Sequence, residues 1–237
     1  MTHGIIHGRE GKACAPGVVS MGRPLIFALL AAFVLPGCGS VFAGDGRASA
    51  RTESSEPRAG LYDCEGCKEA LKRDPTTLSF QAQIASNEPG EKFIIRGRVF
   101  ATDGITPAPN IVVYAHHTNA AGYYVGGSDE SEWTRRHGKL RGWVRTGRDG
   151  RYEFQSIKPG FYPRRTEPAH VHMAVWEPGR HPYWIDDLVF GGEFGVTDKY
   201  RSSPERGAGG LGIVRLERSP DGTWLATRNI VLERHPL

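Results

Sequence analysis

From residue 93 to the C-terminus the chain is a series of short apolar stretches, each closed within a few residues by glycine, proline or aspartate. Phe93–Phe100 reads as a strand that runs into an Asp103-Gly104 turn, and Ile111–His116 as a second, entered from Pro107-Ala-Pro109. Gly142–Thr146 and Arg151–Phe154 flank Gly147-Arg-Asp149-Gly150, while Gly212–Leu216 and Trp224–Leu232 flank Ser219-Pro-Asp221-Gly222. Both are hairpin signals, because aspartate and glycine supply the turn geometry that joins adjacent antiparallel strands. Val171–Trp176 and Ile185–Phe190 extend the pattern. Strands this short, with turn signals between them, predict an all-β fold: a single antiparallel β-sandwich domain with long loops. The 31 glycines and 16 prolines are the turn residues such a fold needs. With 39% hydrophobic and 24% charged residues the chain has enough apolar surface for a packed core and is not a disordered polymer.

The N-terminal part has a different character. Arg23 precedes the apolar run Leu25–Leu35, a charged region followed by a hydrophobic stretch of signal-peptide length, too short to span a bilayer. Met21 stands just before it, which makes residues 1–20 a mis-called extension and residues 1–43 the extension plus signal. Two processing sites compete: Leu35-Pro-Gly-Cys38 resembles a lipobox in which Cys38 is acylated, and Val41-Phe-Ala43 suits ordinary signal cleavage. Residues 44–60 are small and polar and read as a flexible tether, leaving residues 61–237 for the domain. The expectation is export to the periplasm or the outer side of a bacterial membrane, with Cys38 as a lipid anchor. The net charge of +4 is spread without a basic block, which gives nucleic acid no footprint. No apolar run reaches the ~18 residues of a membrane-spanning helix, which excludes a polytopic membrane protein.

Cys64-x-x-Cys67 opens the domain on a short helix ended before Asp74-Pro75. The pair can be a redox centre, half a zinc site or a local disulfide. No second cysteine pair accompanies it for zinc, and an oxidising compartment favours the disulfide. Cys14 falls in the extension.

Chemistry concentrates in Pro159–Trp176. Side chains alternate faces along a strand, so His170, His172 and Ala174 share one face while Val171, Met173 and Val175 face a core. Two imidazoles two residues apart stand about 7 Å apart at Cβ and can converge on one metal, although alternation alone also produces such pairs on a surface. The context is more specific. Gly122-Tyr-Tyr124, Arg141-Gly-Trp143, the Thr146–Phe154 turn, Ile157-Lys-Pro-Gly-x-Tyr162-Pro163 and Pro168-Ala-His170-Val-His172 follow in that order. This run, over roughly residues 93–190, resembles the intradiol ring-cleavage dioxygenases of the catechol and protocatechuate type, in a short exported branch.

The resemblance implies a mononuclear non-haem Fe(III) held by two tyrosines and two histidines. Tyr162 matches the tyrosine that leaves the metal when substrate binds, His170 and His172 match the histidine pair, and Tyr124 matches the remaining tyrosine, with Tyr123 as the alternative. Phenolates are hard anionic donors suited to Fe(III), and imidazoles suit iron generally. The implied substrates are a catechol-like aromatic and O2, and the implied product is a muconate-type diacid. One position departs from the family: Glu167 stands three residues before the first histidine, where an arginine is usual. Arg165, in the same loop, is the candidate to replace it, and Arg164 reads as solvated charge. A non-catalytic β-sandwich binding module is the competing function, and a divalent-metal hydrolase lacks a general base beside the H-x-H pair.

Other residues are read as structural. His116 shares its face with Tyr114 and suits a packed role, and Trp143 suits a pocket wall or the core. Arg135–Arg141 reads as a basic loop, solvated or steering acidic aromatics. Asp186 and Asp187 read as an exposed acidic pair without chemistry.

Overall fold

In the computed structural model, residues 56–64, 66–127, 132–203 and 206–237 are described. The signal, Cys38 and most of the tether lie outside them. Contacts divide the chain into Met1–Arg51 and Thr52–Leu237, and everything below concerns the second unit.

Two mixed sheets pack into a sandwich. The first contains β1 (Gln81–Gln83), β2 (Lys92–Phe100), β5 (Arg151–Ile157), β9 (Leu216–Arg218), β10 (Trp224–Thr227) and β11 (Ile230–Val231). The second runs in the order β4 (Arg141–Arg145), β3 (Val112–His117), β6 (His170–Trp176), β7 (Tyr183–Phe190) and β8 (Ile213–Val214). Phe93 and Ile95 from one sheet meet Val113, Val171 and Met173 from the other in a single buried cluster, and the Phe93 and Phe190 rings meet edge to face at 5.5 Å. Two short helices, α1 (Glu132–His137) and α2 (Asp198–Arg201), sit in the connections.

The sheets correct two expectations. The fold is not wholly antiparallel: β1 runs parallel to β5, β10 and β11 both run parallel to β2, and β8 runs parallel to β7. Nor do the segments around Gly147–Gly150 form a hairpin. The turn is present, with Gly150 N donating to Gly147 O, but β4 pairs with β3 while β5 pairs with β2. The turn carries the chain from one sheet to the other. Val144 and Phe154 on either side of it both enter the core, and burying them against opposite sheets outweighs pairing them with each other. The second turn does join a hairpin, β9 to β10.

β3 is buried on both faces along its whole length. Val113 and Ala115 enter the sandwich core, whereas Tyr114 belongs to a second cluster with Cys67, Ala70 and Ala174 on the outer side of the sheet. That outer cover is the N-terminal segment. Cys64 and Cys67 are joined as a disulfide, and Cys67–Lys72 forms a 3-10 helix rather than an α-helix. Trp143 Nε1 donates to Glu69 O at 2.7 Å and fastens it to β4. The end of the expected tether is also pinned, because Arg58 pairs with Glu233 at 3.2 Å.

Candidate metal centre

Four of the sequence-predicted side chains meet at one end of the second sheet. Tyr124 Oη lies 3.0 Å from Tyr162 Oη, Tyr162 Oη lies 3.2 Å from His170 Nε2, and His170 Nε2 lies 3.0 Å from His172 Nε2. Tyr123 is more than half exposed and its ring takes no part.

Local chain geometry brings these residues together. His170 and His172 project from the same face of β6, as alternation predicts. The tyrosines arrive on two loops stitched to one another. Asn119 Oδ1 accepts from the backbone N–H groups of Ala121 and Tyr123, closing a tight loop before Tyr124. Gly160 N then donates to Asn119 O at 3.0 Å, and Thr118 Oγ1 donates to Gly160 O at 2.7 Å. Gly122 allows the closest approach: it has φ 83°, and a Cβ there would lie 2.0 Å from the Phe161 carbonyl oxygen. Only glycine tolerates both.

The hydrogen bonds fix which atoms carry protons. His170 Nδ1 donates to Pro168 O at 2.7 Å, since a carbonyl only accepts. Burial, helped by the charge of His172, holds the His170 pKa below its ordinary value, so the ring is neutral and Nε2 is a bare acceptor. Tyr162 therefore donates to His170 and accepts from Tyr124. Burial raises both phenols, and the Tyr162 hydrogen bond raises Tyr124 further.

His172 Nδ1 donates to Asp187 Oδ1 at 2.8 Å. Burial works to raise the Asp187 carboxyl, yet its interactions with His172, joined by those with His170 and Arg206, together outweigh it and hold the group below the ordinary carboxylate value. The Asp186–Asp187 pair is thus not the exposed, inert pair expected from the sequence. Between the pairs Val171–Leu188 and Met173–Ile185 the register slips, so both aspartates stand opposite the single His172. This β-bulge aims Asp187 at His172 and turns Asp186 to the backbone N–H groups of Gly207 and Ala208, at 2.6 and 2.9 Å. A bulge leaves no mark on residue type, so the sequence carried no signal for it.

This donor set fits a metal ion. With both Nδ1 atoms turned to acceptor oxygens, the two Nε2 atoms face each other at 3.0 Å, a spacing that needs a proton or a cation between them. Spacings of 3.0–3.2 Å are those of neighbouring ligands about 2.1 Å from one ion at roughly right angles. His170, His172 and Asp187 also form a cluster of atoms that could hold a metal, in which Asp187 bonds the far nitrogen of His172 and so would act on a ligand rather than on an ion.

Arg165 is placed differently from the expectation that it serves the reacting centre. Its guanidinium lies over the rings of Phe161 and Phe194, at 4.9 and 4.5 Å, and makes no polar contact with the tyrosines or histidines. The field of Glu167 acts on Tyr162 and His170. The expected basic loop is in part helix α1, and its His137 is buried.

A family profile described as Dioxygenase matches residues 69–208, more than half of the chain. The chain belongs to the intradiol ring-cleaving dioxygenase superfamily. Catechol 1,2-dioxygenase 2 of Acinetobacter lwoffii is 30% identical over 148 residues, 51% of this chain and 52% of that protein. Hydroxyquinol 1,2-dioxygenase of Rhizobium sp. (strain MTP-10005) is 31% identical over 110 residues, 46% of this chain and 36% of that one. The chain spans about half or less of the length of these curated relatives. Among solved structures, catechol 1,2-dioxygenase from Acinetobacter sp. ADP1 aligns with a TM-score of 0.48 at 18% identity, covering 67% of this chain and 58% of that one. All the ligand candidates of this dioxygenase relative, from Tyr124 to His172, fall inside the matched segment.

Proposed function

We propose that the protein is an Fe(III)-dependent intradiol dioxygenase that opens a catechol-like ring with O2 between its two hydroxyl-bearing carbons, giving a dicarboxylic acid. The observation that carries this is the run of contacts Tyr124–Tyr162–His170–His172, two phenols and two imidazole nitrogens, each within hydrogen-bond distance of the next. These four residues would hold the metal. Fe(III), when bound, supplies the Lewis acidity and the electron exchange with O2 that ring opening needs.

The chain's own residues do the rest. Tyr162 is the ligand on the more exposed of the two loops, followed by Pro163 and Arg164 at the surface. With the metal bound its phenol would be ionised, and its oxygen would then be placed to take a proton from an incoming catechol hydroxyl. Asp187 holds the His172 proton on Nδ1 and so keeps Nε2 free for the ion. Pro168 O does the same for His170. Tyr124 is fixed by the Asn119 loop and stays as the inner phenol. The family match and this donor set speak against a non-catalytic binding module, which has no use for four converging metal donors.

Export belongs to the same reading. The signal-like run Leu25–Leu35 and the Cys64–Cys67 disulfide both suit an oxidising compartment. Cys38 is the anchor if the lipobox is used.

The test is oxygen uptake by iron-loaded protein with catechol and hydroxylated or carboxylated catechols. The expected result is one O2 consumed per ring, with both atoms of labelled O2 in a dicarboxylate product. Uptake that yields hydrogen peroxide or a quinone instead would overturn the reading.

A further inference from the structure

The contacts around His172 extend past Asp187 to the N-terminal disulfide. One face of the His172 ring lies on His116, with centroids 4.7 Å apart and planes 25° apart. The other face of His116 lies on His137, at 3.8 Å and 7°. His116 and His137 are 3% and 5% exposed. Among the described residues His116 Nδ1 has no hydrogen-bond partner, so its ring faces are what hold it. His137 is held by Tyr114, whose hydroxyl lies 2.8 Å from Nδ1. It is also held by Gly66, the turn residue between the two cysteines. Gly66 has φ 79°, and a Cβ there would come within 2.8 Å of His137 Nε2 and 2.9 Å of Cε1. The same segment packs Cys67 and Ala70 against Tyr114 and Ala174, the latter two residues beyond His172 on the same face of β6.

We infer that the disulfide-closed turn Cys64–Cys67 is a supporting part of the metal centre, with His137 and His116 as positioning residues that set the ring plane of His172. The inference rests on the ligand set assigned above. Asp187 fixes where the His172 proton sits, and a single hydrogen bond leaves the ring free to swing about it. The stack removes that freedom. The disulfide fixes the turn, the turn backs His137, and His137 backs His116. This gives the C-x-x-C pair a role in the chemistry without any cysteine reaching the iron.

The test uses the iron-loaded full chain as wild type, His137→Leu, Gly66→Ala, the double variant Cys64→Ser/Cys67→Ser, and His116→Phe, which keeps a flat ring in the stack. The readouts are the tyrosinate-to-iron absorption band, the rate at which iron is lost to a chelator, and the melting temperature of the metal-free protein. Tyr62→Phe is the control. It loosens the same N-terminal segment at its contact with His235, where the Tyr62 ring meets His235 and His181 and none of the stacked rings. The expected result is a shifted band and iron loss about tenfold faster in His137→Leu, Gly66→Ala and the double serine variant, with His116→Phe near wild type and Tyr62→Phe moving only the melting temperature. Should one variant not fold, the other two carry the comparison. A normal wild-type band with unmoved band and release rate in the folded variants, or changes that merely follow melting temperature as in Tyr62→Phe, would overturn the inference alone. A wild type lacking the band would overturn the ligand assignment and this inference with it.

Discussion

His170 Nε2 and His172 Nε2 lie 3.0 Å apart, while the Nδ1 atoms on the other side of the two rings donate to Pro168 O and Asp187 Oδ1 respectively. The arrangement keeps two lone pairs aimed at one point and is more favourable with a cation there than without one.

Metal should therefore stabilise the fold. At free iron about a hundredfold above Kd, the gain is about 2.7 kcal/mol, or roughly 5–10 °C in melting temperature for a domain of this size. Calorimetry with and without iron checks this, and His170→Ala should lose the gain.

Asp187→Asn keeps the size of the side chain and removes its charge. The proton on His172 Nδ1 is then no longer secured, and iron affinity should fall about 10- to 100-fold. Competition with a calibrated chelator measures it. An unchanged affinity would mean that Asp187 serves only the bulge.

Gly122→Ala should separate the two tyrosines. Its φ of 83° costs an alanine about 1–2 kcal/mol, and the added Cβ meets the Phe161 carbonyl oxygen at 2.0 Å. The loop carrying Tyr162 must then move away from the loop carrying Tyr124. The expected outcome is a folded protein of lower melting temperature whose iron band is shifted or weakened.

Much of this site could be read from residue order, because it depends on local rules. Alternation along β6 put His170 and His172 on one face, while Tyr124 and Tyr162 were named only by the resemblance that the Gly122-Tyr-Tyr124 and Gly160-x-Tyr162-Pro163 segments carry. What escaped depends on partners distant in sequence. Asp187 meets His172 only because β7 bulges against β6. His137 reaches His116 only because a short helix folds back over β3. The parallel pairing of β10 and β11 with β2 joins segments some 130 residues apart, as in the hydrogen bond from Arg98 N to Asn229 Oδ1, and no local pattern announces it. The Gly147–Gly150 turn was legible as a turn, but whether its strands pair or part is decided by which sheet buries Val144 and Phe154.

Acid should destabilise the protein through its buried histidines. His117 is fully enclosed, donating from Nδ1 to Thr118 O and accepting from Ser156 Oγ at Nε2, and burial lowers its pKa from 6.5 to about 4. The unfolded chain binds this proton more readily than the folded one, so the contribution is complete above pH 6.5 and is lost as pH falls toward 4, about 3 kcal/mol in all. Burial lowers His116 and His137 in the same direction. Urea unfolding of the metal-free protein at pH 7 and pH 5 should show the loss, and His117→Gln should make it smaller.

The most direct measurement is the visible spectrum of iron-loaded protein, wild type beside Tyr162→Phe, with and without catechol. The expected result is a wine-red wild type with one iron per chain, a band that shifts when catechol is added, and a different band in Tyr162→Phe. A colourless protein at one iron per chain, or a spectrum that Tyr162→Phe leaves unchanged, would contradict it.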